Sequence, residues 1–117
     1  MRNEEQAAFI RGKVVAVCEG LLNEEIGVIA SARMLCRLEY ELSRREGGWH
    51  EHDEDFITFV AINSETDHLP VDDERRNWSD EALERKDEEI AKAESGYREM
   101  ACAACRKLIA RFEMKDS

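Results

Sequence analysis

The residues of this chain best suited to chemistry are three histidines and four cysteines. His50 and His52 stand two apart in WHEHDED (residues 49–55), and His68 follows Asp67. Imidazole beside carboxylate suits zinc or nickel, and the same pairing can move protons. The i, i+2 spacing fits no defined metal motif, and an exposed polar connector explains it more simply. A metal-dependent activity centred on His50, His52, His68 and Asp67 is kept as an alternative. Cys102 and Cys105 form a CxxC in MACAACRKLIARF. Metal-binding CxxC pairs usually occupy turns, and a redox pair needs its first thiol at a helix N-terminus. Here both fall inside a helical pattern, and Cys18 and Cys36 fall on apolar stripes. All four are expected to be buried free thiols packed as small hydrophobes. There is no nucleophile elbow and no glycine-rich phosphate loop. The expectation is a protein that is not an enzyme and needs no metal and no cofactor.

Charge is distributed unevenly around these groups. The chain carries 27 acids against 17 basic residues, a net charge of −10. Residues 46–74 contain no Lys or Arg and ten of the acids: Glu46, Glu51, Asp53, Glu54, Asp55, Glu65, Asp67, Asp72, Asp73 and Glu74. The 17 acids elsewhere are matched by the 17 basic residues. Such a balance argues against nucleic acid and anionic membranes as partners. It leaves two readings of the acidic stretch, a solvated face or a surface for a basic protein. The N-terminus has acids where a secretory signal carries a basic region, and no run of eighteen apolar residues suggests a membrane span. A cytoplasmic protein with reduced thiols is expected.

The elements that must position these groups are helices. At 117 residues, with six glycines and one proline, a single helical domain is expected over 1–117. Phe9, Ile10, Val14, Val17, Cys18, Leu21 and Leu22 make one apolar stripe between Asn3 and about Asn23. Ile26, Ile29, Ala30, Leu35, Leu38 and Leu42 make a second, stopping near Gly47–Gly48, with Arg33 and Arg37 on its flank. The short turn at Asn23 predicts antiparallel packing. DFITFVAI (residues 55–62) has strand-forming residues but no partner strand. Phe56, Phe59, Val60 and Asn63 fit a helix face and Asp53 fits its start, so a short helix is expected there. Ser79 predicts an N-cap, followed by acids in the first turn. Leu83, Ile90, Tyr97, Ala101, Ala104, Cys105, Leu108 and Phe112 then form one long stripe. Its first half is thinly apolar and is expected to lie on the 63–78 loop or to extend past the bundle. Arg33 and Arg37 are candidate partners for Asp87 and Glu94.

NSETDHLPVDDERRNW (residues 63–78) connects the last two helices. Asn63–Ser64 is expected to end the third helix, and Thr66 or Asp67 to order the turn. Leu69–Pro70 forces an extended path. Trp78 sits where a hydrophobic staple would, and is expected to pin the loop. Asp72, Asp73 and Glu74 gain nothing evident from packing. FVAINSETDHLP, followed by RRNW and a long Ala/Glu-rich helix, resembles a family of small uncharacterised bacterial domains over residues 26–112, a family that brings no established activity. In general character the chain is also similar to acidic bacterial immunity proteins, which neutralise a toxin by binding it.

Together these patterns predict an all-α fold, a four-helix up-down bundle with a long ordered loop before a long C-terminal helix. The favoured function is a small acidic binding protein, an immunity protein or inhibitor that occludes the active site of a basic partner such as a toxin. Glu65, Asp67, Asp72, Asp73 and Glu74 are the candidate contacts to Lys or Arg, with Trp49 and His68 as desolvated anchors. The alternative from another class is a self-associating module, a homodimer through the projecting half of the last helix.

Overall fold

The computed structural model describes residues 2–45 and 53–116, and all of its regular structure is helical. Trp49, His50 and His52, together with the Gly47–Gly48 stop, lie outside the described residues. Helix α1 spans Arg2–Leu22, α2 Val28–Arg45, α3 Ile57–Glu65 and α4 Asp80–Asp116. Short 3-10 turns at Glu54–Phe56 and Asp72–Asn77 precede α3 and α4. The helices alternate in direction: the end of α1 and the start of α2 both meet Glu94 and Arg98 of α4, while α3 runs from Phe56 beside Phe112 to Glu65 beside Lys92 and Tyr97. One hydrophobic core joins all four, and among the described residues no helix is long and apolar enough to cross a membrane.

Helix α1 buries Ala7, Ile10, Val14, Cys18 and Leu21, a three-four repeat along one face. Phe9, expected in that stripe, is turned outward at 65% exposure, with the Lys13 ammonium 4.7 Å from its ring centroid. Ile10, about 100° further round the helix, takes the core position and leaves Phe9 on the outer side. The helix ends with Glu24 in the left-handed region at φ 62°. Glu25 N–H and Ile26 N–H then donate back to the Gly20 carbonyl at 2.8 and 3.2 Å. A Cβ at Gly20 would lie 2.6 Å from Ile26 Cδ1, so that side chain would have to move aside.

Helix α2 has no Ser, Thr, Asp or Asn at its start; Gly27 holds the N-cap position, its carbonyl accepting from Ser31 N–H at 2.9 Å. The missing cap comes from α4. Glu94 accepts Val28 N–H at 2.7 Å and Ile29 N–H at 2.9 Å, one with each carboxylate oxygen. Negative charge at a helix N-terminus is favourable, and a Cβ on Gly27 would crowd Glu94 Oε1 at 3.1 Å. One turn along α4, Arg98 donates to the Leu21 carbonyl at 3.1 Å and stands 3.5 Å from Glu24. A residue pair four apart on α4 thus caps both helix ends of the α1–α2 turn.

Residues 55–62 form a helix, as their spacing predicts. Asp53 caps the 3-10 turn that leads into α3, Oδ1 accepting Asp55 N–H at 2.9 Å, and Phe56, Phe59 and Ile62 go into the core. Phe56 meets Phe112 of α4 with centroids 6.2 Å apart. Arg111 of α4 clasps the same start, 2.7 Å from Asp53 and 2.9 Å from Asp55. Asp53 and Asp55 hold the guanidinium proton more tightly, raising the Arg111 pKa. The helix runs to Glu65, past the expected stop at Asn63–Ser64. Thr66 closes it, its buried hydroxyl donating to the Ile62 carbonyl at 2.6 Å.

At 37 residues, α4 is roughly 55 Å long at 1.5 Å per residue and runs the length of a molecule measuring 51 × 25 × 23 Å. Ser79 caps it as expected, Oγ accepting Ala82 N–H at 3.2 Å. Ala101, Ala104, Cys105, Leu108 and Phe112 are buried, whereas no residue from Asp80 to Met100 is. The upper half rests on the connector, not on the core.

Candidate functional site

The connector from Thr66 to Ser79 is fastened from below. Leu69 is 2% exposed and Pro70 is buried. The Arg33 guanidinium reaches up from α2, Nη2 donating to the Thr66 carbonyl at 2.9 Å and the Leu69 carbonyl at 2.7 Å. Its Nε faces the Glu74 carboxylate at 3.5 Å, while Glu74 Oε1 accepts Val71 N–H at 3.0 Å and starts the 3-10 turn. A positive φ of 50° at Asp72 lets the chain turn there; Asp is among the residues that tolerate this region best.

Three expectations are corrected here. Trp78 does not pin the loop: it is 36% exposed, its ring capped by Lys86 at 5.9 Å. Leu69 and Pro70 take that place, buried beneath the connector in a bend whose Leu69 N–H donates to the Thr66 carbonyl at 3.0 Å. Arg33 and Arg37 are not partners of Asp87 and Glu94. Asp87 pairs with Arg75 at 2.8 Å, which pulls its pKa below the ordinary value, and Glu94 is spent on the α2 N-terminus. Glu74 does gain from packing, through Arg33 and Val71.

The remaining candidate residues fall on three sides of the connector. Glu65 and His68 line a shallow cleft of about 370 Å³ against Lys92, Gly96 and Tyr97 of α4, with His68 Nε2 4.0 Å from Glu89. Asp67 lines a second cleft with Arg33, Arg37 and Asn63. Asp72, Asp73 and Glu74 line a third, facing the same two arginines across Met34. Asp73 is 93% exposed at the side chain and meets Arg76 at 3.6 Å. The acidic residues therefore do not form one sheet of charge. Asp67, Asp72, Asp73 and Glu74 ring an arginine pair on α2, which the sequence places nearby only as a flank at i, i+4.

The thiols are divided. Cys18 and Cys105 face each other across the α1–α4 contact, both buried. The hydrogen bond between them, and burial, keep the Cys18 proton on and raise its pKa. Cys36 and Cys102 are half-buried, a correction to the expectation of full burial: Cys102 lies one turn before Cys105 and to the side of the stripe. Cys36 donates to the Phe59 carbonyl at 3.5 Å, and burial followed by Glu39 pushes its pKa up to about 11. The CxxC sits mid-helix, as its sequence context predicts. Among the described residues no three potential metal ligands come together. Compared with known protein families, with curated proteins and with solved structures, the chain gives no match.

Proposed function

We propose that this chain is a binding protein that docks on a basic protein partner through the connector and the first turns of α4, as an immunity protein covers a toxin's active site. The supporting observation is a division of labour among the acids. Asp53, Asp55 and Glu74 hold the fold together. Glu65, Asp67, Asp72 and Asp73 are exposed and, among the described residues, pair with no other element. Asp80, Glu81, Glu84 and Glu88 extend the exposed acids along α4. Clustered like charges work against folding through self-repulsion, and Asp72 is kept at positive φ, so a use outside folding accounts for them best. Long-range attraction would steer the partner in. His68, with a side chain 53% exposed above the Tyr97 cleft, would be the aromatic anchor, together with Trp49.

The test uses the partner recovered by affinity purification from the native host. Asp67→Asn with Asp72→Asn and Asp73→Asn is expected to slow association roughly ten-fold at low salt, an effect that fades as ions screen it. The triple change Glu4→Gln, Glu5→Gln and Glu113→Gln, at exposed acids near the opposite end, is expected to do little. Equal on-rates for the two variants would remove the support for this reading. A second reading, self-association through the upper half of α4, draws on the lack of any buried residue from Asp80 to Met100. A mass that rises with protein concentration in sedimentation equilibrium would favour it.

A further inference from the structure

Cys18 of α1 and Cys105 of α4 are fully buried in the shared core and hydrogen-bonded sulfur to sulfur. Both are free thiols. Helices in contact have axes about 8–10 Å apart, with each Cα about 2.3 Å from its axis, so facing Cα atoms come to roughly 5 Å. A disulfide spans about 4.4–6.8 Å between Cα atoms. The other thiols are not placed in this way. Cys102 and Cys105 make the CxxC, but three apart on a helix their Cβ atoms lie about 5–6 Å from each other. That is beyond the roughly 3.5–4.5 Å of a disulfide. Cys36 belongs to the α2–α3 contact, where it donates to the Phe59 carbonyl.

We propose that Cys18 and Cys105 are a redox-sensitive pair, which hydrogen peroxide converts into a disulfide that staples α1 to α4. The Cys105 thiolate attacks one oxygen of the peroxide and the O–O bond breaks. The departing hydroxide takes up the proton that Cys105 gave, so one water leaves and Cys105 becomes a sulfenic acid. The Cys18 sulfur then attacks the Cys105 sulfur, the S–S bond forms and the S–O bond breaks. The hydroxide leaves with the Cys18 proton as a second water. The two sulfurs lose two electrons together, and the peroxide gains them. Cys105 is the thiol that begins: the hydrogen bond from Cys18 lowers its pKa against the opposing effect of burial, and Arg106 beside it favours the same charge. Both sulfurs are covered, so the step waits on local opening of the α1–α4 seam, and a small uncharged oxidant suits it. The closed bridge encloses everything from the end of α1 to the packed half of α4, and a long closed loop restricts the unfolded chain most. The pair lies at the seam and not on the connector, so it is independent of the docking surface proposed above.

The test treats the reduced full chain with hydrogen peroxide in native buffer, alkylates the remaining thiols in denaturant and maps the tryptic peptides without reductant. The expected product joins the peptide of residues 14–33, which carries Cys18, to that of residues 99–106 through Cys105. The melting temperature of the oxidised chain is expected to rise by roughly 10 °C and to return on addition of dithiothreitol. Cys102→Ala is expected to keep the cross-link and Cys105→Ala to lose it. Where Cys105→Ala fails to fold, fragmentation of the cross-linked natural peptides decides which sulfur of residues 99–106 is bonded to Cys18. A bridge within the CxxC, a cross-link through Cys102, or a folded chain in which Cys18 stays a free thiol would overturn the pairing. A cross-link without a rise in melting temperature would overturn its role as a staple.

Discussion

The two halves of α4 are one unbroken helix held in two different ways. From Glu94 onward it lies in the bundle, burying Ala101, Ala104, Cys105, Leu108 and Phe112 and reaching across to cap α1, α2 and α3. From Asp80 to Ala93 no residue is fully buried, and side-chain charges supply much of the contact: Asp87 with Arg75, Glu89 with His68, Lys86 over the Trp78 ring. A helix needs a core to start, and less to continue. Nucleation is the unfavourable step, and each residue added to an existing helix gains a backbone hydrogen bond for the two dihedrals it fixes. The packed half therefore serves as nucleus for the free half. Asp80 and Glu81 in the first turn favour that end through the helix dipole.

Substitutions can measure this contrast, and the largest effect belongs to the packed half. Leu108→Ala removes a fully buried side chain and is expected to cost about 2–5 kcal/mol in urea melts. Ile90→Ala, on the free half, is expected to cost less than about 1 kcal/mol; equal costs would abolish the distinction. At the boundary, Glu94→Ala strips two N–H groups of α2 of their acceptor and is expected to cost about 2 kcal/mol. Glu94→Gln should recover part of this, and a loss below about 0.5 kcal/mol would mean that α2 is capped otherwise. Trp78→Ala, under the free half, is expected to cost less than about 1 kcal/mol, because the residue is partly exposed and stands outside the core. Denaturant midpoints decide this too.

The smallest effects are those of pH, and they separate the regions by direction. The Cys36 pKa is raised from 9.0 to about 11 in the folded chain. Its contribution to stability is therefore complete below pH 9 and is lost as pH rises towards 11. The Asp87 pKa is lowered from 3.8 by its hydrogen bond to Arg75. Its contribution is present above that value and is lost as pH falls. Hydrogen exchange should show the α2–α3 contact loosening first in alkali. In acid, residues 80–93 should lose protection before residues 101–112. Loosening of the Cys36 region in acid instead would contradict the assignment.

What was legible in the sequence is what neighbours in sequence decide. The stripes of α1, α2 and α4, the Ser79 cap and the helical reading of 55–62 depend on spacing and on cap chemistry within a few residues. The short turn at Asn23 is expected for the same reason, although its left-handed residue is Glu24. The errors lie where distant polar groups compete. Glu94 and Val28 are 66 residues apart, and no local pattern states that α2, lacking a cap of its own, borrows one. A helix start after Gly27 with no Ser, Thr, Asp or Asn was the available signal. Arg33 looked like a surface flank because periodicity marks faces, not what a long side chain reaches from the edge of one. Trp78 was overvalued for its size, although its neighbours Asn77, Ser79 and Asp80 are all polar.

The shared cap at the α1–α2 turn bears on the order in which the chain becomes finished. On the ribosome, α1 and α2 emerge as a hairpin that has apolar faces to join but two helix ends open to water. Glu94 and Arg98 are made some seventy residues later, on the last helix. The hairpin is therefore an unfinished part until α4 has been made, and its completion and the docking of α4 are a single event. A nascent chain halted before residue 94 should hold a loose, readily digested hairpin, and one that includes α4 should become protease-resistant in the α1–α2 hairpin and in α4 together.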